Sequence, residues 1–574
     1  MDTRRTVLAL VFAASLFLLW ESWMRTSRPP VVESPAVASS SAGQAAQAPG
    51  APSAAVTGVP SASQNLVVPS AAPAKQAASI VAQPPVPAPG SERIVLRNAN
   101  LALEVDTLGA RFVKATLLDQ PSDNYAGGKV LLFDQAASSK YEAQTGLIGQ
   151  AAAGKVFPNH TLSFTRQTLA GGQDPNRSVV LVAESGGLKL IKKIELAPTG
   201  HQVKLTHTIV NTGADTVSPS LYLQFLRSDS SPPGENSFYH TFTGPAMFTD
   251  QAKFQKIDWS DIEKNKTTHV RQASDGWLGM VQHYFVSAYV LDNNQPREFF
   301  TRKVDQNLYA AGTIQAIASV APGGQQTHES TLYVGPQIQR TLEQLAPGLE
   351  LVVDYSWLTF IAKPIYWLLE QINRFVNNWG WSIVVLTILI KALFYPLSAA
   401  SYRSMAKMKA VAPRIAAIRD RYPNDRAKLN QAMMEIYKTE KINPLGGCLP
   451  VVIQIPVFLA LYWVLLGSVE MRNAPWILWI QDLAAPDALF GVIPGLNMPL
   501  GPLPLLMAVT MYVQTKLNPP PPDPLQAKVM MMMPLVFSVF FFFFPAGLVL
   551  YWLVNNVVSI AQQWFIMKRV NAGA

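Results

Sequence analysis

WGWSIVVLTILIKALFYPL, residues 379–397, decides how this chain is read. At ~1.5 Å per residue the run covers roughly 28 Å, close to the ~30 Å hydrocarbon core of a bilayer. Lys391 stands inside it. A charge at bilayer depth costs at least ~2.5–3.5 kcal/mol on insertion scales and by default marks a functional site. The alternative is snorkelling, in which the stem lifts the ammonium toward the inner boundary at Tyr395 and Pro396, about one turn or ~6 Å away. Within this segment alone both readings stand.

Working outward, four more apolar segments follow at residues 445–466, 502–518, 525–544 and 546–567. Each is near the ~17–25 residues of a spanning helix. The N-terminal stretch, residues 1–25, sets Arg4 and Arg5 ahead of an apolar run from Val7 to Trp20. No small-residue cleavage site follows that run, so an uncleaved anchor is expected rather than a signal peptide. Six transmembrane helices result, the last five forming a core. Residues 398–443 hold ten basic and four acidic residues, whereas the loop at 467–501 holds one basic residue, Arg472. Positive-inside bias therefore puts both termini in the cytoplasm, including the short tail at 568–574.

Residues 26–90 are Ala, Pro, Ser, Val and Gln with almost no charge, a composition that cannot bury enough surface to order itself, and read as a linker. From 91 to 350 short alternating runs such as IVLRNANLALEVD, SVVLVAES and HQVKLTHTIV are separated by turn clusters, which predicts an all-β sandwich outside the cytoplasm. All seven histidines fall there without metal-ligand spacing, and the single cysteine excludes an internal disulfide and a Cys-based zinc site. No metal and no cofactor are expected. Residues 354–376 read as an amphipathic helix on the membrane surface, with Trp357, Phe360, Ile361, Ile365, Leu368, Leu369 and Ile372 near one side; a buried helix of the β-domain is the alternative.

The 398–443 segment reads as a cytoplasmic helical hairpin. Met405, Met408, Ala412, Ile415 and Ile418 recur at helical spacing, PND forms the turn, and Leu429, Met433 and Ile436 repeat the apolar face. Its basic residues Arg403, Lys407, Lys409, Arg414, Arg419 and Arg421 form either a solvated, lipid-touching face or a docking surface for an RNA-rich or acidic partner.

Polar groups inside the spans are few: Thr387 one turn before Lys391, Gln454, Gln514, and Asn555, Asn556 and Ser559 in the last segment. Each alone is most often helix–helix glue; together with an unpaired lysine they point to a shared hydrated cavity. No Asp or Glu lies in the five core spans, which disfavours a structural ion pair and an ion-coupled transporter. There is no GxSxG, no membrane histidine or aspartate, and no Walker A loop, so neither proteolysis nor nucleotide hydrolysis is indicated and the chain is not expected to be an enzyme. A channel or solute transporter is the main rival reading; a tethered carbohydrate-processing β-domain is a second.

SMAKMKAVAPRIAAIRDRY (404–422), EIYKTEKINPLGGCLPVVIQIPVFLALYWVLLGSVEMRNAPWILWIQDLAAPD (435–487) and FPAGLVLYWLVNN (544–556) together resemble the core of the YidC-type membrane protein insertases. The anchor, linker and β-domain resemble the Gram-negative form of that family. The resemblance implies a periplasmic β-supersandwich and a five-helix core in the bacterial inner membrane. That core encloses a hydrophilic groove open to cytoplasm and lipid. It places Lys391 where the family carries one positive charge, often arginine, and puts Thr387, Tyr551 and Trp552 along the substrate path, with Trp552 where other members have tyrosine. Gln454 and Asn555 complete the expected groove. Implied partners are nascent membrane proteins and the lipid bilayer, with the Sec translocon, ribosome or signal recognition particle machinery, and no specific nucleic-acid sequence.

Overall fold

The computed structural model describes residues 91–572, apart from 123, 126–127, 152–154, 170–172, 234–240, 423–424, 441–448, 494–497 and 519–523. The expected anchor, the linker and His240 lie outside the described residues.

Alternation in the sequence becomes two nine-stranded antiparallel sheets packed face to face. In the first, the order is Arg93–Arg97, Leu101–Asp106, Arg111–Pro121, Tyr141–Ile148, Ser220–Ser228, Leu308–Ala316, Arg297–Asp305 and Gln272–Ala273, with Lys129–Leu131 beside the third. The second runs Lys253–Lys256, Gly244–Thr249, Trp277–Val281, Phe285–Leu291, Gln325–Pro336, Gln202–Asn211, Leu188–Leu196, Ser178–Ser185 and Thr165–Gln167. LKLIKKIEL at Leu188–Leu196 alternates buried and half-buried positions, the pattern of a strand with one face in the core. Tyr141–Ile148 is buried throughout. The 157–164 segment covers part of its outer face, with Leu147 N donating to Pro158 O at 2.8 Å.

One polar row crosses the apolar interior. Lys192 pairs across strands with His207, and His207 with His328. The Lys192 ammonium donates to Gly109 O at 3.0 Å and Thr145 O at 2.8 Å, and burial without an acid beside it lowers its pKa to about 7. Burial, with Lys192 and His328 adding repulsion, takes His207 down to about 3. The other described histidines are scattered: His160 meets the Tyr222 hydroxyl, His201 lies 3.2 Å from Asp119, His269 Nε2 is 3.3 Å from Phe299 O, and His283 Nε2 is 2.9 Å from Leu466 O. Among the described residues no group of His, Cys, Asp or Glu is arranged to hold a metal ion.

A second apolar cluster joins the outer side of the Trp277–Val281 and Phe285–Leu291 strands to the helices through Leu342, Leu349, Val352 and Tyr355. Arg472 ties the loop to the sandwich, donating to Pro121 O at 2.9 Å and Gln120 Oε1 at 3.3 Å. Among the described residues eight α-helices follow: α1 Thr359–Val376, α2 Trp379–Leu393, α3 Tyr395–Arg421, α4 Arg426–Thr439, α5 Leu449–Gly467, α6 Pro502–Leu517, α7 Pro524–Phe541 and α8 Ala546–Ala572. Packing is of α8 on α2, α3 and α6, α1 on α2 and α5, and α7 on α6. Among the described residues no single helix is long and apolar enough to cross a membrane; α2 and α3 together are, bent by 66°.

Three expectations change. The first span stops at Leu393 rather than residue 397, and the hairpin begins at Tyr395 rather than 398, because Pro396 occupies the first turn of α3 rather than ending α2. The hairpin seam uses Val411 with Ile415, against Met408, Met433, Ile436 and Tyr437, so Val411 takes the buried place expected of Ala412. In α1 the apolar residues divide. Ile361, Ile365, Leu368, Leu369 and Ile372 pack on the core cluster, while Phe360, Trp367 and Phe375 are exposed aromatics, as is Trp357 in the 3-10 turn Ser356–Leu358 just before the helix.

Candidate functional site: a buried lysine among polar helix faces

Helical spacing builds the site. Asn555 and Ser559 are one turn apart on α8 and share a face, with Tyr551 one turn before them. Lys391 lies in the last turn of α2, only 6% exposed, and α8 packs directly against that helix. The ammonium donates to Ser559 Oγ at 2.8 Å and Gln454 Oε1 at 3.3 Å. Gln454 Nε2 donates to Asn555 Oδ1 at 2.7 Å, and Ser559 Oγ to Asn555 O at 2.7 Å. Gln562 Nε2 donates to the Lys391 carbonyl at 3.4 Å. Three helices thus contribute to one hydrogen-bonded network around a single positive charge. Neutral dipoles solvate that charge, leaving its field uncancelled by a carboxylate.

Beside this network stands an aromatic cluster. Phe458 stacks on Tyr551 at 6.1 Å and meets Trp552 at 4.6 Å, and Phe541 lies 5.7 Å from Trp552. The Trp552 indole N–H is buried and, among the described residues, meets no acceptor. Polar and aromatic side chains therefore adjoin, one set suited to a charged or polar segment and the other to an apolar one.

Of the six residues expected in the groove, Lys391, Gln454 and Asn555 form the network, and Tyr551 and Trp552 form the aromatic cluster next to it. Thr387 is buried on the expected helix, but its hydroxyl donates back to Ile383 O at 2.6 Å rather than toward the ammonium. Ser559, the nearer ammonium partner, was legible only as one of several polar residues in the last span. All six expected docking residues of the hairpin, Arg403, Lys407, Lys409, Arg414, Arg419 and Arg421, are exposed. Arg414 also pairs with Glu440 at 2.7 Å.

Family models match the chain in two consecutive parts: the YidC periplasmic domain over residues 93–368, and the 60Kd inner membrane protein over 371–573. A membrane protein insertase YidC of Janthinobacterium sp. (strain Marseille) is 50% identical, over 99% of this chain and 99% of the relative. The chain belongs to the YidC membrane protein insertase family. A second member of that family, from Bordetella parapertussis, is 49% identical over 100% of this chain and 99% of its own. Among solved structures, an active YidC insertase crystal structure with its first transmembrane domain resolved is 17% identical. It covers 83% of this chain and 92% of that one, at a TM-score of 0.38, which carries no structural argument of its own. The channel or transporter reading finds no support among these matches.

Proposed function

We propose that this chain inserts nascent membrane proteins into the bacterial inner membrane, using the polar network around Lys391 to receive the polar flank of the incoming segment. The observation that carries this is a buried ammonium that, among the described residues, donates to Gln454 and Ser559 and to no carboxylate, with aromatic side chains adjoining. Lys391 attracts a carboxylate on the client flank. Gln454 and Asn555 offset desolvation that otherwise costs several kcal/mol per polar group. Tyr551 and Trp552 offer the sliding apolar segment a surface, and burial of that segment in lipid drives the step. No covalent bond is made or broken, so no residue is assigned a catalytic role.

In this reading both termini and the α3–α4 hairpin are cytoplasmic and the sandwich is periplasmic. Six spans cross the membrane, α1 lies along its surface, and the aromatic face of α1 meets lipid. The basic hairpin receives clients from a ribosome or signal recognition particle, and the chain acts alone or beside the Sec translocon. Photo-crosslinkers at positions 454 and 552, with Lys391 intact, test the route against stalled single-span nascent chains. Client adducts are expected from both; adducts from neither, in vesicles that insert the client, overturn it.

A further inference from the structure

The loop between α5 and α6 reverses the usual polarity of a solvent-exposed segment. Over residues 473–493 its only charges are Asp482, which is half-buried, and Asp487, which is buried. Asp487 is 6% exposed; its Oδ2 accepts from Trp479 Nε1 at 3.2 Å and from Leu503 N, in the first turn of α6, at 2.8 Å. Asp482 Oδ1 is occupied by Ala484 N at 2.8 Å. The apolar side chains point out: Leu478 is 75% exposed, Phe490 65%, Val492 54% and Leu489 50%. Leu478 also holds φ at +55°, a region non-glycine residues rarely adopt. A loop facing water would show the opposite arrangement.

Two observations fix its level. The side chain of Asn378, the residue capping α2, donates to Pro475 O at 3.2 Å and Trp476 O at 3.3 Å. Trp381 and Trp476 then meet edge to face at 5.6 Å, and Gly380 lies so close to the Trp476 ring that a Cβ there would sit 2.3 Å from it. The loop is therefore level with the outer end of α2, within a tryptophan cluster of the kind that settles at a membrane–water boundary.

We propose that residues 477–492 insert Leu478, Leu489, Phe490 and Val492 into the acyl–headgroup boundary of the extracytoplasmic leaflet, making this loop a lipid-binding surface rather than a water-exposed connection. The proposal rests on the orientation given under the proposed function. An uncharged apolar surface continuous with interfacial tryptophans matches lipid, and it offers no charge for recognising a polar protein partner.

Single nitroxide labels at Leu478→Cys and Phe490→Cys, in a Cys448→Ser background of the full chain, test it in vesicles of phosphatidylethanolamine and phosphatidylglycerol at 3:1. Val509→Cys on α6 (60% exposed) and Thr327→Cys on the sandwich serve as references. Power saturation compares access of oxygen, which concentrates in lipid, with that of a water-soluble nickel chelate. Oxygen access is expected to exceed nickel access at 478, 490 and 509, with the order reversed at 327. Nickel dominating at 478 and 490 while oxygen dominates at 509 would overturn the lipid-binding loop alone; that outcome is also the one expected if the apolar surface awaits a protein absent from the vesicles. Nickel dominating at 509 too would overturn the orientation and the proposal with it.

Discussion

Replacing Lys391 by methionine keeps the side chain's length and removes its charge. A client carboxylate ~6 Å from the ammonium, in surroundings of effective dielectric ~20, gains about 3 kcal/mol, roughly a hundredfold in occupancy of the site. The internal cost is smaller. Gln454 Oε1 and Ser559 Oγ each lose one donor, about 1 kcal/mol apiece, and Ser559 keeps its bond to Asn555 O. The assay is insertion into vesicles holding purified protein, read as the protease-protected fraction over time for a single-span client with an acidic or a neutral flank. Lys391→Met, Lys391→Ala and Lys391→Glu are expected to slow the acidic-flank client by one to two orders of magnitude and the neutral one by less than about threefold, a coupling of up to about 3 kcal/mol in the double-mutant cycle. Lys391→Arg retains activity, because charge alone is required. Unchanged insertion of the acidic client by Lys391→Glu would refute the electrostatic role. Equal losses for both clients would show that the lysine only holds the helices together.

Deleting Met405 to Lys438 is expected to weaken client delivery several-fold while the remaining helices still purify as a folded unit; normal delivery would reduce the basic face to lipid contact. Gly380→Ala pushes a methyl group into Trp476 and is predicted to destabilise by about 1–3 kcal/mol, seen as a lower unfolding temperature in detergent. Glu470 lies under α1, where Tyr366 OH donates to it at 2.7 Å, and burial raises its carboxyl above the ordinary value. A folded-state pKa above the unfolded one means the stabilising contribution is complete below the unfolded pKa and lost as pH rises through the raised value. Wild-type unfolding temperature should therefore fall across that window, and Glu470→Gln should flatten the fall; an unchanged pH profile would contradict it.

The sandwich was legible because strands with one covered face alternate at period two, as Leu188–Leu196 and Gln202–Asn211 do. The fully buried Tyr141–Ile148 strand, YEAQTGLI, shows no such pattern, since the covering segment comes from elsewhere in the chain. Around Lys391, counting polar residues in apolar runs found Gln454, Asn555 and Ser559, but not Gln562, which reaches the lysine through its backbone carbonyl, and not the ranking. Ser559 outranks Thr387 as a partner because a threonine hydroxyl bonds readily to its own helix backbone one turn back. Ala412 and Val411 are adjacent and both apolar, so spacing alone did not choose between them; the approach of α4 did. Only the bend after Leu393 shows where α2 ends, since Pro396 is compatible with stopping one helix or starting another.

That bend also reaches α8. In an unbroken helix through residue 421 the Lys391 carbonyl would accept from the amide four residues on. With α2 ending at Leu393, that carbonyl accepts instead from Gln562 Nε2 at 3.4 Å, so α8 holds the lysine by its backbone as well as, through Ser559, by its ammonium. The last helix and the charge are therefore positioned as one unit.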